Sequence, residues 1–237
     1  MINLPELLIL DVGHGNCAIL RDTQAVSVID CGYDGSTLIE TLDRLDIETV
    51  DHVLISHADS DHVGGLGPLI KTLPIRNIYM NSDASKKGKI WEDTLQALEL
   101  AERFGTQVYI GLTSSYSQKI VSGEVTIEVL TPSASLAASG SGGTYLEGHS
   151  LASNTMSVVI GLLHKSCRVV LLPGDMNEFG LNNLLKRYNN IEAQILVFPQ
   201  NPVILPTYRL RETSIIAAVE ELSALRLMES GQLMIPR

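Results

Sequence analysis

Basic residues are in short supply. The chain carries 17 Lys and Arg against 27 Asp and Glu, a net charge of −10 at pH 7. That balance excludes a generally sticky nucleic-acid-binding surface. It leaves nucleic acid open as a substrate, because bound cations can supply local positive charge. Cysteine is scarce too. Cys17, Cys31 and Cys167 are scattered and odd in number, which fits buried thiols in a reducing compartment and excludes a disulfide framework. No uninterrupted apolar run approaches the roughly 20 residues of a membrane helix. The start, Met1-Ile-Asn-Leu-Pro-Glu6, lacks the basic region and apolar core of a signal peptide. The expectation is a soluble cytoplasmic protein without membrane association. What the chain does have is 237 residues at 45% hydrophobic, enough to bury a sizeable core in one domain spanning residues 1–237.

Apolar segments alternate with helical ones. Glu6–Val12 and Cys17–Arg21 read as strands joined by a tight turn at Gly13-His14-Gly15-Asn16. Ala25–Ile29 is a third strand, leading into Asp30. Ser36–Leu45 has helical leucine spacing with Ser36 as its cap. Thr49–Ser56 is strand, Gly64–Leu73 helix, Ile75–Met80 strand. Trp91–Phe104 is the strongest amphipathic helix, stopped by Gly105; its leucines are core. Gln107–Ile110 is strand. Then come a hairpin of Lys119–Val121 and Val125–Leu130, a Gly/Ser/Ala-rich surface loop over Ser133–Ser150, and a hairpin of Thr155–Leu163 and Cys167–Leu172. Asn177–Tyr188 reads as helix, Ala193–Phe198 as strand and Glu212–Leu225 as a last helix. Strands around each helix, in two similar halves, imply an α/β layered sheet sandwich flanked by helices.

The densest chemistry lies in His57-Ala-Asp-Ser-Asp-His62, directly after the apolar run Val53-Leu-Ile-Ser56. Four metal-competent side chains fall within six residues at the end of a buried strand. A merely solvated turn would crowd two carboxylates with nothing to compensate them. Imidazole and carboxylate together suit a divalent cation such as Zn or Mn.

These residues resemble the metallo-β-lactamase superfamily, and most closely the hydrolase domain of the bacterial competence DNA-uptake protein ComEC and its free-standing relatives. Four segments carry the resemblance in order: Leu10-Asp-Val-Gly-His-Gly-Asn-Cys17; Val28-Ile-Asp-Cys-Gly32; Leu54-Ile-Ser-His-Ala-Asp-Ser-Asp-His-Val-Gly-Gly65, with Asp59 where the second His is more usual; and Asn154-Thr-Met-Ser157 followed by Leu171-Leu-Pro-Gly-Asp175. The resemblance implies an αββα sandwich with one or two divalent metals at the sheet edge. His57 and Asp59 would ligate one ion, Asp61 and His62 the other, and Asp175 would bridge them. Asp61 and His62 are then the catalytic pair. The spacing agrees. Residues two apart project the same way from an extended segment, so 57, 59 and 61 can converge, and 62 turns inward as a helix begins. Two cations about 3.5–4 Å apart activate water at neutral pH and clamp a phosphoryl or carbonyl oxygen.

The chain departs from the family pattern after Ile195-Leu-Val-Phe-Pro199. The family supplies a final His-His-Gly there, but this chain has Gln200-Asn-Pro202 and no histidine beyond His164. The part after Pro202 is short, so the C-terminal part of the fold is expected to be reduced. A weakened second site favours Mg or Mn, which tolerate waters and amide oxygens, over Zn.

Other polar residues have more than one reading. His14 is either a substrate-polarising group, a replacement ligand or a plain turn histidine. His149 is a candidate for the first metal from a Gly/Ser loop that would hold it poorly. Asp11 and Asp30 read as orienting or structural carboxylates. Asn154 and Ser157 either bond within the sheet edge or touch substrate. His52 and His164 read as surface or capping histidines. Lys86-Lys-Gly-Lys89 is a small basic cluster, able to meet phosphates if it lies on the metal face. Three functions stay open: a metal-dependent phosphodiesterase or nuclease on nucleic acid or nucleotides; a degenerate, non-catalytic module binding a protein partner or a second copy of itself; and a hydrolase of esters, thioesters or lactams.

Overall fold

Strand Glu6–Ile9 (β1) is buried on both faces, with Leu7 and Ile9 pointing one way and Leu8 the other. Such a strand needs cover on each side, and that requirement organises the molecule. The computed structural model describes residues 4–116, 120–145, 148–188 and 191–197, and three short strands further on. In the first half, Cys17–Arg21 (β2) and Val26–Cys31 (β3) follow β1 as an antiparallel meander. Ser36–Arg44 (α1), Val50–Leu54 (β4), Ser60–Val63 (α2), Leu66–Thr72 (α3), Ile75–Met80 (β5), Lys89–Arg103 (α4) and Gln107–Ile110 (β6) then extend the sheet, with β3 to β6 parallel.

The second half begins with the hairpin Ile120–Val121 (β7) and Val125–Thr131 (β8). Ala134–Ser139 (α5) and the small ladder Thr144–Tyr145 (β9) with His149–Ser150 (β10) come next. Val159–His164 (β11), Cys167–Leu172 (β12), Glu178–Arg187 (α6) and Ile195–Val197 (β13) complete it. Ile215–Ala217 (β14) joins β13 in parallel, whereas Leu225–Leu227 (β15) and Leu233–Met234 (β16) extend the first sheet beside β1. The sheets therefore run β16-β15-β1-β2-β3-β4-β5-β6 and β14-β13-β12-β11-β8-β7.

Three apolar layers explain the stacking. Leu7, Ile9, Leu20, Ile29 and Leu54 meet Ile127, Ile160, Leu162, Val170 and Ile195 between the sheets. On the outer face of the first sheet, Leu8, Ile19, Val28, Val53 and Ile78 pack on Leu38, Leu42, Leu66, Leu69 and Leu98 from α1, α3 and α4. On the outer face of the second, Val159, Leu171 and Leu196 pack on Leu181 and Leu184 of α6. The result is the expected α/β, αββα sandwich. Among the described residues, no helix is long and apolar enough to cross a membrane.

Several local expectations are corrected. Ser36 opens α1 rather than capping it: Gly35 is the cap residue, and Asp34 Oδ1 accepts from the Ser36 N–H at 2.9 Å. The Ser133–Ser150 segment is not a bare loop, because Ser133 Oγ accepts from the Leu136 N–H and the Leu136 side chain is buried, which stabilises α5. The strand expected from Thr155 starts only at Val159, after a 3-10 turn at Ser153–Met156. Of the helix expected at Glu212–Leu225, Ile215–Ala217 is strand, since β-branched Ile215 and Ile216 pair with β13; Leu225 opens β15, and the rest lies outside the described residues. Cys17 and Cys31 are buried, but Cys167 is exposed.

Two glycines fix how the loops close on each other. A Cβ on Gly64 would fall 2.0 Å from the Tyr33 carbonyl oxygen, and one on Gly15 would fall 1.9 Å from the Asp61 carbonyl oxygen. Gly64→Ala should therefore destabilise the protein by about 1–3 kcal/mol through overpacking. By contrast, a Cβ on Gly67 meets the Ala97 Cβ at 3.7 Å and the Asp93 carbonyl oxygen at 4.0 Å, both ordinary contacts, so Gly67→Ala should be neutral or gain about 0.5–1 kcal/mol from helix propensity. Thermal melts of the two variants check both signs.

Candidate metal centre

The centre forms where parallel strands β3 and β4 end and the β12–α6 loop crosses them, the usual location of ligand sites in α/β sheets. Asp30, at the end of β3, has φ 57° and is buried. A left-handed conformation at a non-glycine residue costs of order 1 kcal/mol or more and marks a position held for a purpose. Its Oδ1 accepts from the Ser56 N–H at 2.7 Å. Its Oδ2 accepts from Ser56 Oγ at 2.7 Å and lies 2.8 Å from His62 Nδ1. Ser56 Oγ also lies 3.0 Å from His57 Nδ1. One carboxylate and one hydroxyl thus fix the back of both imidazoles, an arrangement that orients metal-binding histidines.

The front faces of the two rings meet. Their centroids are 4.1 Å apart, and His57 Nε2 and His62 Nε2 are both buried with no hydrogen-bond partner. Asp175 reaches in from the second sheet, with Oδ2 3.6 Å from His62 Nε2. His57, His62 and Asp175, all buried, bring one ligand atom each to within 4.8 Å of one another. The flanking carboxylates divide between the rings. Asp59 Oδ2 is 3.8 Å from His57 Nε2, and Asp61 Oδ2 is 3.8 Å from His62 Nε2. Asp59 thus stands beside His57, and Asp61 beside His62. Two buried imidazole nitrogens without hydrogen-bond partners, beside converging carboxylates, fit a divalent cation, because an unmet buried polar atom is costly. His57, His62 and Asp175 would hold the ion, with Asp59 and Asp61 at either side.

The sheets are tied together at this point. Val158 N–H donates to the Ser56 carbonyl at 2.8 Å, and a Cβ on Gly174 would meet Ser157 Oγ at 2.3 Å and Ser56 Cβ at 3.2 Å. Gly174 therefore lets Asp175 approach. Ser157 is fully buried and bonds the Pro173 carbonyl at 3.5 Å, so it braces the Asp175 loop. Asn154 is half-buried in the 3-10 turn, its carbonyl accepting from the Asn177 N–H.

The remaining candidates take varied places. His14 is exposed, with Nε2 3.3 Å from Asp61 Oδ2, so it borders the centre. Asp11 is exposed and accepts from the Gly13 N–H, a turn-forming role. His149 stands apart from the group of three ligands, on exposed β10 with its ring 4.7 Å from Phe179. His52 is half-buried within β4 beside Tyr79, and His164 is not a surface histidine but buried, with Nε2 3.2 Å from Glu124. Gln200-Asn-Pro202 lies outside the described residues. Ser56 was missed by sequence reasoning; its only signal was a small hydroxyl residue between an apolar strand and the first histidine.

Charge on the metal-free pair is unequal. Burial and then the His62 charge hold His57 down to about 4. Burial also opposes charge on His62, but Asp30 and Asp175 outweigh it together and hold it up at about 10. Between pH 4 and 6.5 the unfolded chain takes a proton that folded His57 refuses, so stability falls as pH drops. Above 6.5 folded His62 keeps a proton the unfolded chain loses, so this stability declines as pH rises toward 10. Denaturant titrations of chelator-treated protein should show this pair contributing most near pH 6.5. A divalent ion takes His62 neutral, so its stabilising effect should grow across the alkaline limb.

A sequence description of the Metallo-beta-lactamase superfamily matches residues 10–176. The chain belongs to the metallo-β-lactamase superfamily. That superfamily is largely one of metal-dependent hydrolases, and its fold implies divalent metal binding. Among curated proteins, the chain is similar to Uncharacterized protein YobT of Bacillus subtilis (strain 168), 34% identical over 68 residues, covering 28% of this chain and 29% of YobT. It is also similar to Endoribonuclease ysh-1 of Neurospora crassa, 30% identical over 95 residues, covering 36% of this chain and 11% of that protein. The similarity thus spans less than a third of either relative's length. Among solved structures, the metallo-beta-lactamase fold protein YhfI from Bacillus subtilis superposes with a TM-score of 0.49 at 13% identity, over 90% of this chain and 80% of that one.

Proposed function

We propose that this superfamily member is a metal-dependent phosphodiesterase acting on nucleic acid or a nucleotide, of the ComEC-like type. The observation that carries the reading is the buried His57–His62–Asp175 cluster flanked by Asp59 and Asp61. The 95-residue similarity to an endoribonuclease supports a phosphodiester substrate. A cleft of about 530 Å³ opens beside Asp61, lined by His14, Tyr33, Asp34, Ser60 and others, a volume typical of small-molecule sites.

A bound Zn, Mn or Mg ion supplies Lewis-acid activation of water and charge neutralisation on the phosphoryl group. The chain's own residues do the rest. Asp61, mostly buried between His14 and His62, is placed to accept a proton from the attacking water. His14, exposed above it, is placed to meet the substrate at the cleft mouth. Asp30 and Ser56 keep the His62 and His57 rings from rotating. We read the chain as one domain acting in a cytoplasmic setting.

The test is cleavage of single- and double-stranded DNA and RNA by purified protein with Mn, Mg or Zn. We expect metal-dependent cleavage, reduced by about 100-fold or more in Asp61→Ala, as expected for loss of a general base, and lost in His62→Ala. Turnover of neutral esters with no turnover of any phosphodiester would replace this reading with the ester-hydrolase one.

A further inference from the structure

An anionic substrate approaching this centre meets carboxylates on most sides: Asp59, Asp61 and Asp175. Lys86 brings an ammonium group to one of them, Asp59. Lys86 Nζ lies 2.5 Å from Asp59 Oδ1 while Asp59 Oδ2 faces His57, and both side chains are mostly buried. Of the basic run Lys86-Lys-Gly-Lys89, Lys86 therefore lies at the centre, whereas Lys87 is exposed and Lys89 is tied to Asp93.

The loop carrying Lys86 is built, not loose. Buried Asp83 accepts from the Ser85 N–H at 2.9 Å and from the hydroxyls of Ser85 and Ser153 at 2.5 Å each. Asn81 Nδ2 donates to the Leu112 carbonyl at 2.8 Å. Lys86 N–H closes the turn on the Asp83 carbonyl. Ser153 opens the 3-10 turn that carries Asn154, so the loop is fastened to the second sheet next to the centre. A cation on such a frame loses little freedom when it binds an anion.

We propose that Lys86 is a phosphate anchor for the substrate, held by Asp59 until a divalent cation takes that carboxylate. This rests on the phosphodiesterase reading and names what faces the non-bridging phosphate oxygens. Without metal, Asp59 neutralises Lys86 and repels phosphate. When a divalent ion draws on Asp59, the ammonium becomes available at the rim of the centre. Anion binding at this position is thereby coupled to metal loading, through one carboxylate shared between two cations.

The experiment measures binding, not turnover. A fluorescein-labelled single-stranded oligonucleotide is titrated with chelator-treated wild type, Asp59→Asn and the double variant Asp59→Asn/Lys86→Met, by anisotropy at several salt concentrations. Asp59→Asn frees Lys86 without metal. It should bind about fivefold tighter than wild type, the scale of one partly exposed ion pair. The double variant should lose that gain, and its salt dependence should be shallower by about 0.7, one phosphate contact on a single strand. Equal binding by Asp59→Asn and the double variant would overturn the proposal, because the gain would then come only from the lost carboxylate. If Asp59→Asn does not fold by circular dichroism, Lys86→Met with Mn added serves instead: weaker oligonucleotide binding at unchanged Mn affinity supports the anchor, and unchanged oligonucleotide binding overturns it. Cleavage assays run alongside separate the claims. The predicted binding pattern without turnover keeps the anchor and removes the phosphodiesterase reading.

Discussion

Asp30→Ala should be among the most damaging single substitutions in the chain, although Asp30 touches no metal candidate's front face. Removing it takes away the nearer of the two carboxylates that hold buried His62 in its protonated form. His62 is fully buried, and Asp30 Oδ2 is 2.8 Å from its Nδ1. Deleting one partner of a buried ion pair costs about 3–5 kcal/mol. The same carboxylate accepts two bonds from Ser56, so His57 loses its brace as well. Orienting carboxylates behind metal-binding histidines are worth about 10–100-fold in metal affinity. Two measurements therefore move together: the melting temperature of chelator-treated protein and the dissociation constant for Mn or Zn. The stability loss should be largest below the raised His62 value of about 10 and shrink where the imidazole is neutral. A variant that melts like wild type and binds metal equally well would remove Asp30 from the account.

Metal itself should be the second large effect. An ion that binds only the folded chain stabilises it by about 2.7 kcal/mol when free metal is 100 times the dissociation constant. For a chain of this size that corresponds to roughly 5–11 °C in melting temperature, at about 2–4 °C per kcal/mol. Asp175→Ala and His57→Ala should each abolish most of this shift. Asp175 follows β12 of the second sheet, so a bound ion would also link the two halves of the sandwich near the Val158–Ser56 bond. Identical melts with chelator and with excess Mn, Zn and Mg would contradict the expectation.

Part of the candidate site was legible in the sequence because four of its candidate residues are close together in the chain. His57, Asp59, Asp61 and His62 follow one apolar strand, and alternation along an extended segment explains how they split between two rings. The αββα layering was legible too, since strands such as β1 are apolar on both faces. Asp30 was readable only as an orienting or structural carboxylate. Its bond to His62 depends on the parallel register of β3 and β4, which pairs Ile29 with Leu54, and residue spacing alone does not state that register. The Lys86–Asp59 pair was hidden for the same reason, because a surface-type lysine cluster acquires its meaning from where the β5–α4 loop is fastened. Local helical spacing misled at Glu212–Leu225, where pairing of Ile215–Ala217 with β13 overrides it. Composition misled over Ser133–Ser150, where it suggested a loop and the Ser133 cap with buried Leu136 makes helix α5.

The most direct measurement is anomalous diffraction from crystals soaked in Mn or Zn, collected at the metal edge. The account predicts a peak at bonding distance, about 2.0–2.2 Å, from His57 Nε2 or His62 Nε2 and from an Asp175 carboxylate oxygen. A metal-soaked crystal with no peak between those side chains, or with the ion held only by surface carboxylates, would contradict it.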